Sequence, residues 1–117
     1  MGIEEAKEMT NVPVRASEVE PVEMVPGLWR RTLSYGQRLM VVQAALEEGV
    51  VLPAHRHPHE QITYVIEGQL AMKVEGQTHV LGPGDSLLLP GDVEHGATVI
   101  ERTLVIDTFS PPREDYK

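Results

Sequence analysis

The 117-residue sequence contains no cysteine, which excludes a disulfide framework and a thiolate centre and leaves only nitrogen and oxygen as ligands for any metal. Long hydrophobic runs are missing too. The longest uncharged apolar stretch, LMVVQAAL at 39–46, falls far short of a bilayer span, and the acidic N-terminus has none of the basic-then-apolar form of a secretory signal. The expectation is a cytoplasmic protein with no membrane partner. Basic residues are in deficit, 10 against 18 acidic, for a formal charge of -8 and a pI near 5.0. That balance argues against nucleic acid as a partner, but a small anionic substrate stays compatible, because a metal or one arginine reverses the field locally.

A chain of 117 residues fits one domain with one core. Residues 1–21 read as an N-terminal arm, with a weak helical turn in GIEEAKEM at 2–9 and Pro13 interrupting the segment beyond it. Residues 22–117 read as the folded unit, in which short β-branched and apolar runs are closed by Pro-Gly, Glu-Gly and Tyr-Gly turn signals. The expected strands are 28–33, 38–46, 61–66, 70–74, 77–81, 86–89, 97–100 and 103–109, with no helix of useful length. So many strands in a small antiparallel domain close into a sandwich or barrel, which removes open edges and leaves an interior for a ligand.

Three of the five histidines fall in the string PAHRHPHEQITYVIEG. Neutral imidazole is a common metal ligand, and along an extended strand His55 and His57 share a face, so both can point at one ion. Read with its flanks, the string resembles the first motif of the cupin superfamily: Gly49, VVLPA, His55, Arg56, His57, PHE, Gln61, ITYVIE, Gly68. Counting back from Gly68 selects His55 and His57 and leaves His59 outside. The second cupin motif is met by Gly84, DSLLL, Pro90, Gly91, Asp92, VE, His95, GAT, Val99, and 15 residues, Gln69 to Pro83, separate the two. Gln61, Asp92 and Val99 stand where the family pattern has Glu, Gly and Asn.

The resemblance implies an all-β, antiparallel jelly-roll barrel holding one divalent transition metal on His55, His57, Gln61 and His95. Nickel, zinc, iron, manganese and copper all accept such a set. A glutamine in place of a glutamate leaves the full dipositive charge on the ion, which favours an anionic ligand and weakens metal retention. Small cupins also commonly pair through N-terminal segments, so a homodimer is expected, with Trp29 as a candidate anchor.

The C-terminal string LVIDTFSPPREDYK is similar to the tail of pectin-degradation cupins that open 4,5-unsaturated uronates. That similarity implies cavity roles for Asp107 and Arg113 as catalytic residues and for Phe109 and Arg113 as substrate-binding residues. Strand parity places Thr103, Val105, Asp107 and Phe109 on one face. The implied activity is metal-dependent linearisation of a small anionic carbohydrate to its keto-deoxy form. Two alternatives stand beside it: a cupin dioxygenase, and a non-catalytic sugar- or effector-binding module. A phosphosugar isomerase is weaker, since one arginine makes a thin phosphate site. Of the remaining polar residues, His79 reads as solvent-facing and Asp85 as a turn residue, while parity leaves open whether Gln43 and Lys73 line the interior.

Overall fold

The computed structural model describes residues 10–117; the helical turn expected at 2–9 lies outside them. Among the described residues there are eight strands and two single-turn 3-10 helices. The strands are β1 (Val22–Val25), β2 (Leu28–Tyr35), β3 (Met40–Leu46), β4 (Val51–His55), β5 (Glu60–Val74), β6 (Gln77–Leu81), β7 (Ser86–Leu89) and β8 (His95–Ser110). All neighbours pair antiparallel. The all-β jelly-roll expectation is met.

Two differences from the expected strands explain the architecture. The pairs 61–66/70–74 and 97–100/103–109 are not separate strands but the halves of β5 and β8, which run side by side for their whole length. Their register shifts between Val65 and Leu70, where both strands bend. Gly68 sits at this corner with φ +94, and a Cβ there would run into the Arg102 carbonyl and the Thr103 hydroxyl. Only glycine satisfies both the left-handed backbone and the close approach. The bend divides one ladder into two facing layers: β1-β2-β3 with the second half of β8, the first half of β5 and β7, against β4 with the first half of β8, the second half of β5 and β6. Strands β1 and β4 are additions to the expected set, because VEMV and VLPAH bury little and show no apolar alternation.

Where alternation is clean it fixes which side is inside. In β3, Met40, Val42, Ala44 and Leu46 are buried, so Gln43 faces outward, and Lys73 on β5 is exposed while Met72 is buried. Leu28, Leu46, Val65, Leu70, Met72, Leu81, Leu89, Val99 and Val105 make the main core. A smaller cluster of Met40, Val42 and Phe109, with Tyr35 and Tyr116 against it, closes one end. At the other side of the first layer, the described part of the N-terminal segment is held by Arg31, whose Nε donates to the Val19 carbonyl at 3.0 Å.

Candidate metal centre and its cavity

Strand pairing brings the histidines together. Antiparallel β4 and β8 place His55 directly opposite His95, with ring centroids 4.5 Å apart. His57 arrives differently from the strand alternation expected of it. Strand β4 ends at His55, and His57 reaches the same point from the loop beyond it, buried where His55 is exposed at the rim. That loop is clamped by the second motif: the Asp92 N–H donates to the His57 carbonyl at 2.8 Å, and Gly91 lies against Pro58 too closely for a side chain. Asp92 adopts φ +64, a conformation that aspartate tolerates better than most residues, so it replaces the family's glycine without loss of the turn. Val99, in place of asparagine, is a buried core residue.

The donor atoms of His55, His57 and His95 all lie within 4.8 Å of one another. Each ring is oriented by a backbone carbonyl. Nδ1 of His55 donates to Pro53 at 3.1 Å, that of His57 to His59 at 3.1 Å and that of His95 to Val93 at 2.9 Å. A carbonyl can only accept, so each Nδ1 carries the proton and each Nε2 offers a lone pair, the arrangement a metal-binding histidine needs. Burial, with Arg113 and His95 nearby, lowers the pKa of His57, and burial likewise lowers that of His95, which favours the neutral imidazole that a metal needs.

Gln61 lies beside the three histidines. Its position in β5 directs it inward, and its Oε1 lies 3.1 Å from Nε2 of His57. With Nδ1 already protonated, this places two lone pairs face to face. Their repulsion is relieved by a cation bound to both, so the residues present fit a divalent metal with three imidazoles and one neutral oxygen.

The amide is held in that sense from behind. Gln61 Nε2 donates to Thr63 Oγ1 at 2.9 Å, and the Thr63 hydroxyl donates to Asp107 Oδ1 at 2.7 Å. Thr63 and Asp107 are direct cross-strand partners of β5 and β8, and Gln61 lies two residues along on the same face. Sequence reasoning misses Thr63, although its spacing from Gln61 on an alternating strand is a usable signal.

One cavity is lined by His55, Gln61, His95, Asp107, Phe109 and Arg113. Asp107 and Arg113 are thus brought to the same space as the histidines. Removal from water pushes the Asp107 carboxyl up to about 6, against the opposing pull of Thr63, Gln61 and Arg113. Arg113 is 15% exposed and stacks over Tyr116 at 4.0 Å and Phe109 at 5.4 Å. Its Nε and Nη2 face the Asp115 carboxylate at 3.4 and 3.1 Å, which leaves the Nη1 end of the fork for another acceptor. Arg30 also lines the cavity, donating to the Tyr116 carbonyl at 3.0 Å and lying 4.5 Å over its ring, so that Tyr116 is contacted by two guanidinium groups. Neither Arg30 nor Tyr116 carries a sequence signal; their meeting depends on the tail folding back over β2.

The other histidines separate as their positions suggest. His79 is exposed. His59 is half-buried, its ring edge-on to His57 and Phe109, its carbonyl orienting His57, and its Nδ1 without a hydrogen-bond partner among the described residues. Asp85 accepts from the Gly82 N–H at 2.8 Å, a turn contact.

Comparison with known proteins agrees with this geometry. A cupin-domain family model matches residues 42–106. The pectin degradation protein KdgF of Dickeya dadantii (strain 3937) is 32% identical over 96 residues, 80% of this chain and 87% of that protein. Among solved structures, KdgF from Halomonas sp. superposes with a TM-score of 0.88 at 34% identity, covering 92% of this chain and 100% of that one. An RmlC-like cupin from Shewanella frigidimarina NCIMB 400 gives 0.87 at 35% identity, covering 92% and 97%. The two motifs, the paired bent strands and the three-histidine cluster have one common explanation: the chain belongs to the cupin family.

Proposed function

We propose that this protein opens the ring of a 4,5-unsaturated uronate, converting the cyclic hemiacetal into its open-chain keto form. The observation that carries the reading is the convergence of Asp107, Arg113, Gln61, His55 and His95 on one cavity. The similarity to KdgF of Dickeya dadantii, a protein named for pectin degradation, supports a uronate as the substrate.

His55, His57, His95 and Gln61 would hold a divalent metal, which when bound supplies Lewis acidity toward the negative charge that develops on the departing ring oxygen. Asp107 removes the proton of the anomeric hydroxyl. The electrons of that O–H bond form the carbonyl, the bond from the anomeric carbon to the ring oxygen breaks, and the ring oxygen leaves as an enolate. Protonation at the far carbon of the double bond then gives the ketone. A carboxylate raised to about 6 is a stronger base than an ordinary aspartate yet still largely ionised at neutral pH. Arg113 holds the substrate carboxylate with the free end of its guanidinium, and Phe109 covers the sugar face.

The test is loss of the ene ultraviolet absorbance when metal-loaded protein meets unsaturated uronate released by a lyase. Turnover above the buffer rate is expected, under strict anaerobiosis as well as in air. No acceleration in either condition overturns the proposed reaction. The same family reading makes the protein a homodimer paired through residues 1–21, with 22–117 as the barrel. Light scattering on the full chain and on one lacking 1–21 should give a dimer and a monomer.

A further inference from the structure

Glutamine at position 61 departs from the cupin pattern, and the hydrogen bonds behind it give a reason. The Thr63 hydroxyl has one proton, and it goes to Asp107 at 2.7 Å. Only lone pairs remain to face residue 61, at 2.9 Å. Thr63 is 2% exposed, so water cannot make up a missing bond there. Position 61 must therefore present a donor to Thr63 and an acceptor to the metal side. An amide does both, whereas a carboxylate presents acceptors to both sides and leaves the Thr63 oxygen opposed.

We propose that the amide at 61 and the acid at 107 are a matched pair, coupled through Thr63, and that Thr63 is a positioning residue which turns Gln61 Oε1 toward His57 and the metal. The inference rests on the reading of His55, His57, Gln61 and His95 as metal-holding residues, and it is independent of whether a uronate is the substrate. It has a sharp corollary. Exchanging acid and amide, by Gln61→Glu together with Asp107→Asn, reverses the chain: the new amide at 107 donates to Thr63, and the Thr63 proton turns to the new carboxylate at 61. Gln61→Glu alone breaks the chain, and Asp107→Asn alone leaves it intact, since the new amide can still offer its oxygen.

The four proteins of this cycle are compared at pH 8 by thermal unfolding without metal and by calorimetric titration with Zn2+. Gln61→Glu should lower the unfolding midpoint in the wild-type background and cost little in the Asp107→Asn background. The exchanged protein should bind Zn2+ about tenfold more tightly than the Gln61→Glu single variant. The cycle is repeated with Thr63→Val, or Thr63→Ala if the valine chain does not fold, and with Thr63→Ser. The coupling should vanish without the hydroxyl and survive with serine. An equal penalty for Gln61→Glu in both backgrounds overturns the proposal. So does coupling that persists without the hydroxyl, since repulsion between two carboxylates would then account for it. A protein that shows the coupling and binds Zn2+ but opens no uronate overturns the proposed reaction and leaves the relay standing.

Discussion

Asp107 and Arg113 are read as doing different work in the cavity, and they should separate in kinetics. Asp107→Asn keeps the shape and the Thr63 contact but removes the base, so kcat should fall by roughly a hundredfold to ten-thousandfold with metal content unchanged. The pH profile gives an independent check. A base must be ionised, so wild-type activity should rise with pH along a limb with its midpoint at or below about 6, the metal's charge pulling it downward, and that limb should be missing in the variant. Arg113→Ala removes a charge-assisted contact with the ground-state substrate. KM should rise roughly tenfold to a hundredfold, with a smaller effect on kcat. Arg113→Lys should recover only part of this, since an ammonium lacks the fork.

Legibility at this scale depends on the physics of each residue. His55, His57, Gln61 and His95 stand at the positions of the two cupin motifs, so the resemblance lets their register be counted. Asp107 and Phe109 share a face by strand parity and stand in the tail string. Thr63 looks ordinary because its importance comes from a single partner across the ladder. Arg30 and Tyr116 meet across 86 positions, a contact that no local pattern announces.

Among the elements, the paired long strands carry the design. β5 supplies Gln61 and Thr63 from its first half, and β8 supplies His95 from one half and Asp107 and Phe109 from the other, so the cavity depends on both bending at the same place. The sequence marks Gly68 as a turn residue, which suggests a break between two strands. The chain instead bends and goes on, because the backbone ladder resumes in a shifted register. Gly68→Ala tests the corner. It places a methyl group against backbone atoms and forces φ +94 on a residue with a Cβ, so it should cost about 2–4 kcal/mol in denaturant unfolding. Gly84→Ala is the control for positive φ alone, since it meets no neighbour, and should cost clearly less.

For the molecule as a whole, opposing titrations set the response of the metal-free protein to acid. His57 and His95 have pKa values lowered by burial, so the folded state resists protonation, and stability is lost as pH falls below 6.5. Asp107 works the other way. Its pKa is raised from 3.8 to about 6, so the folded state binds the proton more readily, and its contribution grows as pH falls through that window. Asp107→Asn removes the compensating term. The metal-free variant should lose stability more steeply than wild type between pH 6 and 4, by up to about 3 kcal/mol across the window, measured by thermal or urea unfolding in the presence of chelator. Parallel curves for the two proteins would show that Asp107 does not titrate as its burial requires.

Turn residues and alternation in this sequence determined the all-β class and most of the segments that become strands, because these depend on period and on distance along the chain, and the three-histidine set was legible through the resemblance to the two cupin motifs. Tertiary structure decided how the parts meet: His57 reaching the centre from a loop, Arg30 and Tyr116 closing over the tail, and Thr63 linking Gln61 to Asp107. Those depend on which strands lie side by side and where they bend, and a hydrogen bond across a ladder has no period along the chain.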